Sequence, residues 1–87
     1  MAKSIQVDIV SAEQEVWSGE AVQVSARTVE GEIGILAGHE PVLAILAPGH
    51  VRVTLENGDK ILVDAADGFI SFDHDRLTVV AGNAKLA

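Results

Sequence analysis

Histidines beside carboxylates, a scatter of serines, paired acids and one turn-adjacent lysine are the residues of this sequence that could carry chemistry. His39-Glu40 resembles the start of a zinc-protease helix, in which two histidines one turn apart hold the metal and a glutamate activates water. The second ligand position is Leu43, and Pro41 would break the helix, so that chemistry fails. Asp73-His74-Asp75 has metal-ligating residue types but sits between two apolar runs, where a polar triplet reads as a solvated hairpin turn. His50 opens a strand and reads as a face residue. No serine lies in a Gly-x-Ser-x-Gly elbow, and no Gly-Lys-Ser or Gly-Lys-Thr ending marks a phosphate loop. Glu13 with Glu15, and Glu30 with Glu32, could share acid and base work, yet on an acidic surface they read as solvated faces. Neither catalysis, nor a metal, nor a cofactor, nor nucleotide binding is expected. Lys60 keeps one alternative open, a lipoyl- or biotinyl-type carrier domain with its modifiable lysine near a hairpin tip. Against it, the tip is Asn57-Gly58, which leaves Lys60 at the mouth of the next strand.

The elements that must position these residues are strands. Ile5, Val7 and Ile9 alternate with Gln6 and Asp8, the period-two pattern of a strand with one buried face. The same reading places strands at 4–10, 21–27, 32–36, 42–46, 50–56, 60–65, 68–72 and 76–81. Asn57-Gly58 predicts a type I′ hairpin, and Ala47-Pro48-Gly49, Ala66-Asp67-Gly68 and Asp73-His74-Asp75 punctuate the others. Residues 11–15, a serine followed by acids, predict at most one helical turn. Many short strands at this spacing predict an all-β fold, a small antiparallel β-sandwich or flattened barrel without substantial helix. With 87 residues and no linker or repeat, residues 1–87 read as one domain.

Composition narrows the partners. Six Lys and Arg against 13 Asp and Glu give a net charge of -7, which repels nucleic acid and anionic lipid alike. A hydrophobic share of 48% supplies a core, so disorder is not expected. The absence of cysteine removes disulfides and thiolate chemistry. Residues 1–9 lack the apolar run of a signal peptide, and no stretch reaches the length of a membrane span, so any membrane association is expected through a partner.

Val10-Ser11-Ala12-Glu13, then Trp17-Ser18-Gly19, Glu30-Gly31-Glu32-Ile33-Gly34-Ile35-Leu36 and Gly38-His39-Glu40-Pro41-Val42-Leu43 follow one another in an order and spacing that resemble the N-terminal domain of F-type ATP synthase epsilon subunits. Pro48-Gly49, Gly68-Phe69 and Leu77-Thr78-Val79 extend the resemblance over almost the whole chain, and Trp17 with Ala26-Arg27-Thr28 is similar to actinobacterial members. Independently of the family, Glu30-Gly31-Glu32 reads as a tight acidic turn in which Gly31 takes a positive φ and both carboxylates project from one tip.

The resemblance implies a non-catalytic rotor subunit of the central stalk, peripheral on the cytoplasmic face of the cell membrane, coupling proton flow to ATP synthesis. It implies that Glu30, Gly31 and Glu32 meet the ring of c subunits, and that His39, Val42 and Ala44, with Ser11, meet the gamma subunit. The strand at 42–46 is then expected to offer one face to the core and one to gamma. Family members usually continue into a C-terminal helical hairpin that restrains rotation and in some bacteria binds ATP. Here the sequence ends at Ala84-Lys85-Leu86-Ala87, so that role is not carried over.

Overall fold

The computed structural model describes residues 4–87. Its strands are β1 (Ile5–Ser11), β2 (Glu15–Ala21), β3 (Gln23–Thr28), β4 (Gly31–Leu36), β5 (Val42–Ile45), β6 (Gly49–Thr54), β7 (Lys60–Asp73) and β8 (Arg76–Leu86), and the described residues contain no helix. They hydrogen-bond in the order β2-β1-β8-β7-β6-β3-β4, with β5 joined to β7. Two layers arise because β7 and β8 are long enough to serve both. Residues 60–65 of β7 pair with β6, residues 69–72 pair with β5, and β8 runs alongside both halves. The front sheet is β2, β1, the first half of β8, the second half of β7, and β5. The back sheet is the end of β8, the first half of β7, then β6, β3 and β4. The Thr28–Leu46 bridge and the Val29 N–H donated to the Ile45 carbonyl at 3.0 Å close the layers into a flattened barrel.

Between the layers lie the residues that alternation points inward. Ile5, Val7 and Ile9 are fully buried, with Ile70 and Phe72 on their own sheet and Val24, Ile35 and Val53 on the other. Thr28 is the buried polar residue among these apolar ones.

Sequence reading split residues 60–72 into two strands around Ala66-Asp67-Gly68, and the chain instead continues as one bent strand. Asp67 takes φ 61° and drops out of the ladder, which steps from Ala66↔Asn83 to Gly68↔Ala81. The register is the same on either side, so no residue is inserted; the left-handed conformation of Asp67, opposite the equally unpaired Gly82, turns both strands over and inverts the alternation. Val63 and Ala65 face inward before it, Ile70 and Phe72 after it, so both halves keep their apolar side on the core. Gly68 is required there, since a Cβ would overlap the Val80 carbonyl oxygen and stand 2.5 Å from Ala81 Cα.

Four further points of the sequence reading are corrected. Residues 11–15 form no helical turn. The Ser11 hydroxyl accepts from the Glu13 and Gln14 N–H groups and donates to the Gln14 carbonyl, folding the segment into the loop of the β1–β2 hairpin. Strand β2 escaped sequence reading because Glu15, Ser18, Gly19 and Glu20 give this edge strand no clean apolar period. Asn57-Gly58 does sit in a hairpin, but only Gly58 has positive φ, at 91°, and the Gly58 N–H reaches the Leu55 carbonyl at 2.9 Å. Two consecutive positive-φ residues, as type I′ needs, occur instead at His74 and Asp75, with φ 50° and 57°. The sheet is also not antiparallel throughout, because β1 and β8 pair in parallel from Gln6↔Arg76 to Ser11↔Ala81. A parallel pair needs a long crossover, here the whole intervening chain.

Candidate docking surfaces

The β3–β4 hairpin ends in a tip that one buried side chain organises. Thr28 Oγ1 accepts from the Glu30 N–H at 3.2 Å and donates to the Gly31 carbonyl at 2.7 Å. Gly31 takes φ 124°, the positive value expected of it. Val29 and Glu30 are left exposed at the tip. Glu32 does not share that tip. It stands two residues along β4 on the back face, opposite Arg27 and 3.4 Å from Arg52 Nη1. The two carboxylates expected to project together therefore belong to different surfaces, because Glu30 precedes the strand and lines the front groove, whereas Glu32 lies within β4 on the back face.

On the front sheet, register aligns an apolar row across four strands. Val10 lies beside Val80, Val80 beside Phe69, and Phe69 beside Ile45. Leu43 stands in the next row and Val29 at the far end. Leu43 is 76% exposed, Val29 64% and Ile45 61%, which is unusual for branched apolar residues grouped together. With Thr28, Glu30, Ala44 and Phe69 they line a groove of about 560 Å³. This row was invisible to sequence reading because it depends on cross-strand register and on the left-handed corner at Asp67 that turns Phe69 outward. One signal was present: residues 42–46 are apolar at consecutive positions, so one face must lie outside the core.

The residues expected to meet gamma are placed differently from one another. Within β5 the outward positions are Leu43 and Ile45, whereas Val42 and Ala44 are half-buried against the core. The Ser11 hydroxyl is engaged within its own loop. His39 is exposed in the β4–β5 loop, edge-on to Phe72 with ring centroids 6.1 Å apart and its Nδ1 2.7 Å from the Glu40 carbonyl. That loop is tied down where the Gly38 N–H donates to Asp75 Oδ1 at 2.7 Å.

The back face has another character. Cross-strand pairing sets Glu32 beside Arg27 and His50 beside Asp64, which pairs with Lys85, while Arg52 faces Leu62 and Lys60 faces Thr54. His50 Nε2 lies 2.6 Å from Asp64 Oδ1, both about half-exposed. Lys60 is exposed but lies in the ladder, at the strand mouth where sequence reading put it. Among the described residues no three His, Asp or Glu gather to hold a metal, and no helix is long and apolar enough to cross a membrane.

Residues 4–87 match the family described as ATP synthase, Delta/Epsilon chain, beta-sandwich domain. The chain is 51% identical to the ATP synthase epsilon chain of Micrococcus luteus over 94% of its own length and 90% of that protein. It is 48% identical to the epsilon chain of Frankia casuarinae over 94% of its length and 96% of that protein. With the epsilon chain of Streptomyces griseus it shares 42% identity over its whole length and 70% of that protein. Among solved structures, a chain of the Euglena gracilis mitochondrial ATP synthase (OSCP/F1/c-ring) superposes with a TM-score of 0.89 at 27% identity, over 95% of this chain and 53% of that one. A chain of the Tetrahymena thermophila mitochondrial ATP synthase central stalk and c-ring gives a TM-score of 0.72 at 14% identity, a likeness of fold alone. With a family match over nearly every residue and relatives at this identity, the chain belongs to the ATP synthase delta/epsilon family, as an epsilon chain whose β-sandwich domain occupies residues 4–87.

Proposed function

We propose that this chain is a non-catalytic rotor subunit of the central stalk, docking on gamma by its front face and on the c ring by the β3–β4 hairpin, so that the two turn together. It then lies peripherally on the cytoplasmic face of the membrane, held there through the complex. The observation that carries the reading is the outward apolar row in which half-buried Val10 and Val80 continue into exposed Phe69 and Ile45, with exposed Leu43 beside it. Burying apolar area is worth about 25 cal/mol per Å², and large exposed patches mark interfaces. The likeness to a chain of an ATP synthase OSCP/F1/c-ring assembly supplies partners of the right kind.

Within that reading, Leu43 and Ile45 replace Val42 and Ala44 as the principal gamma contacts on β5, with Ala44 at the floor of the groove. His39 and Ser11 contribute through the loops they organise. Glu30, Gly31 and Glu32 remain the ring contact, Glu30 from the tip and Glu32 from the back face. Size-exclusion chromatography with a gamma-containing catalytic complex tests the reading: co-elution is expected, and no association at micromolar concentration would refute it. Glu30→Lys with Glu32→Lys should weaken ring binding well beyond any effect on gamma binding.

A further inference from the structure

The chain carries a net charge of -7, but its charges are not evenly spread. Of its six lysines and arginines, Arg27, Arg52, Lys60 and Lys85 all stand on the outer side of the back sheet. Arg76 is on the front face, and Lys3 lies outside the described residues. Against these four cations the paired positions of that face hold two carboxylates, Glu32 and Asp64, giving it +2 (four minus two) with His50 neutral.

The local geometry is ordered. Arg27 is fixed at its backbone, where its carbonyl accepts the Ala47 N–H at 3.0 Å. Its stem lies over Gly49, where a Cβ would stand 3.7 Å from Arg27 Cδ. Arg52 leans on Glu32 at 3.4 Å, a long and exposed pair that is worth little by itself. Between the two guanidinium groups, Glu32, Gly49 and His50 complete a recess of about 210 Å³. Two planar forks at the rim of a small recess suit a carboxylate, which a guanidinium binds through two parallel hydrogen bonds.

We infer that this back face is a second docking surface, on which Arg27 and Arg52 bind carboxylates of the same protein partner that receives Glu32. The inference rests on the proposed ring contact and adds the partner's chemistry: a surface carrying acids as well as the groups that meet Glu30 and Glu32. Three features favour a protein over a polyanion. The face is continuous with the β3–β4 hairpin, it carries the exposed Leu36 and Leu62, and its carboxylates would repel phosphates. Its excess of two positive charges is small beside the multiple cations, each worth about 1 kcal/mol, that hold a protein to an anionic membrane.

The test is binding of the full chain to purified c ring, to a gamma-containing complex, and to vesicles of anionic phospholipid without ring. Arg27→Glu with Arg52→Glu should weaken ring binding at least ~10-fold, steepest at low salt, with gamma binding and melting temperature unchanged. Arg52→Lys, which keeps the charge, should lose far less. Unchanged ring affinity in the double variant, where Glu30→Lys with Glu32→Lys does weaken it, would overturn this inference alone. Absence of ring binding by the unaltered chain would remove the ring contact and this inference together. Binding to vesicles that the arginine substitutions abolish, with ring affinity unaltered, would assign the face to lipid and also overturn it.

Discussion

Strands β7 and β8 contribute to both outer faces of this sandwich, yet the two faces carry opposite chemistry. In front, the second half of β7 contributes Phe69 to a row that includes Val10, Val80 and Ile45, with Leu43 alongside. Behind, the first half of the same strand contributes Lys60, Leu62 and Asp64 beside Arg52 and His50. The switch happens at Asp67, whose left-handed conformation inverts which side chains look out while the register with β8 is kept. A single backbone feature thus lets one strand serve a common core and two unlike surfaces. An apolar surface gains affinity from burial, whereas a mixed-charge one selects its partner through complementarity and shapes the rate of encounter.

The strongest way to break the comparison is at the corner that creates it. Gly68→Ala places a Cβ inside the β8 backbone, so we expect a loss of more than about 3 kcal/mol and disappearance of the cooperative unfolding transition in urea. Retention of wild-type stability would mean that the corner is not built as described.

Next in size is a contrast across one strand. Phe72, fully buried, should cost about 3–5 kcal/mol when replaced by Ala. Phe69, three residues earlier and 41% exposed, should cost under about 1 kcal/mol of stability while weakening gamma binding ~10-fold or more. Chemical denaturation and calorimetric titration of the same two variants separate the core side from the docking side.

A smaller effect is expected at the seam. Thr28→Val removes both hydrogen bonds that shape the tip and should destabilise by about 1–2 kcal/mol. Ring binding should fall more than gamma binding, because Glu30 loses its fixed position. Equal loss of the two would contradict the assignment of the tip.

How far this was legible in the residues differs between fold and surface. The core strands were, since Ile5, Val7 and Ile9 alternate cleanly and the positions facing them do the same. Strand β2 was not, because an edge strand with Gly19 and polar residues needs no apolar period. Ala66-Asp67-Gly68 was read as a turn because Asp tolerates positive φ equally well at a corner inside a continuous strand, and only pairing with β8 distinguishes the two. The Glu30-Gly31-Glu32 turn was legible as a tip, but the separation of its carboxylates was not, since it follows from the strand starting at Gly31. The choice of Leu43 and Ile45 over Val42 and Ala44 likewise required knowing which parity of β5 faces Phe72.

The central claim is that the apolar front face holds gamma, and Ile45→Glu tests it most directly. Ile45 is 61% exposed, so the charge should leave the melting temperature nearly unchanged. Calorimetric titration against the gamma-containing complex should show affinity at least ~10-fold weaker, since a carboxylate would be buried in an apolar contact. Wild-type affinity from a normally folded Ile45→Glu chain would contradict the account.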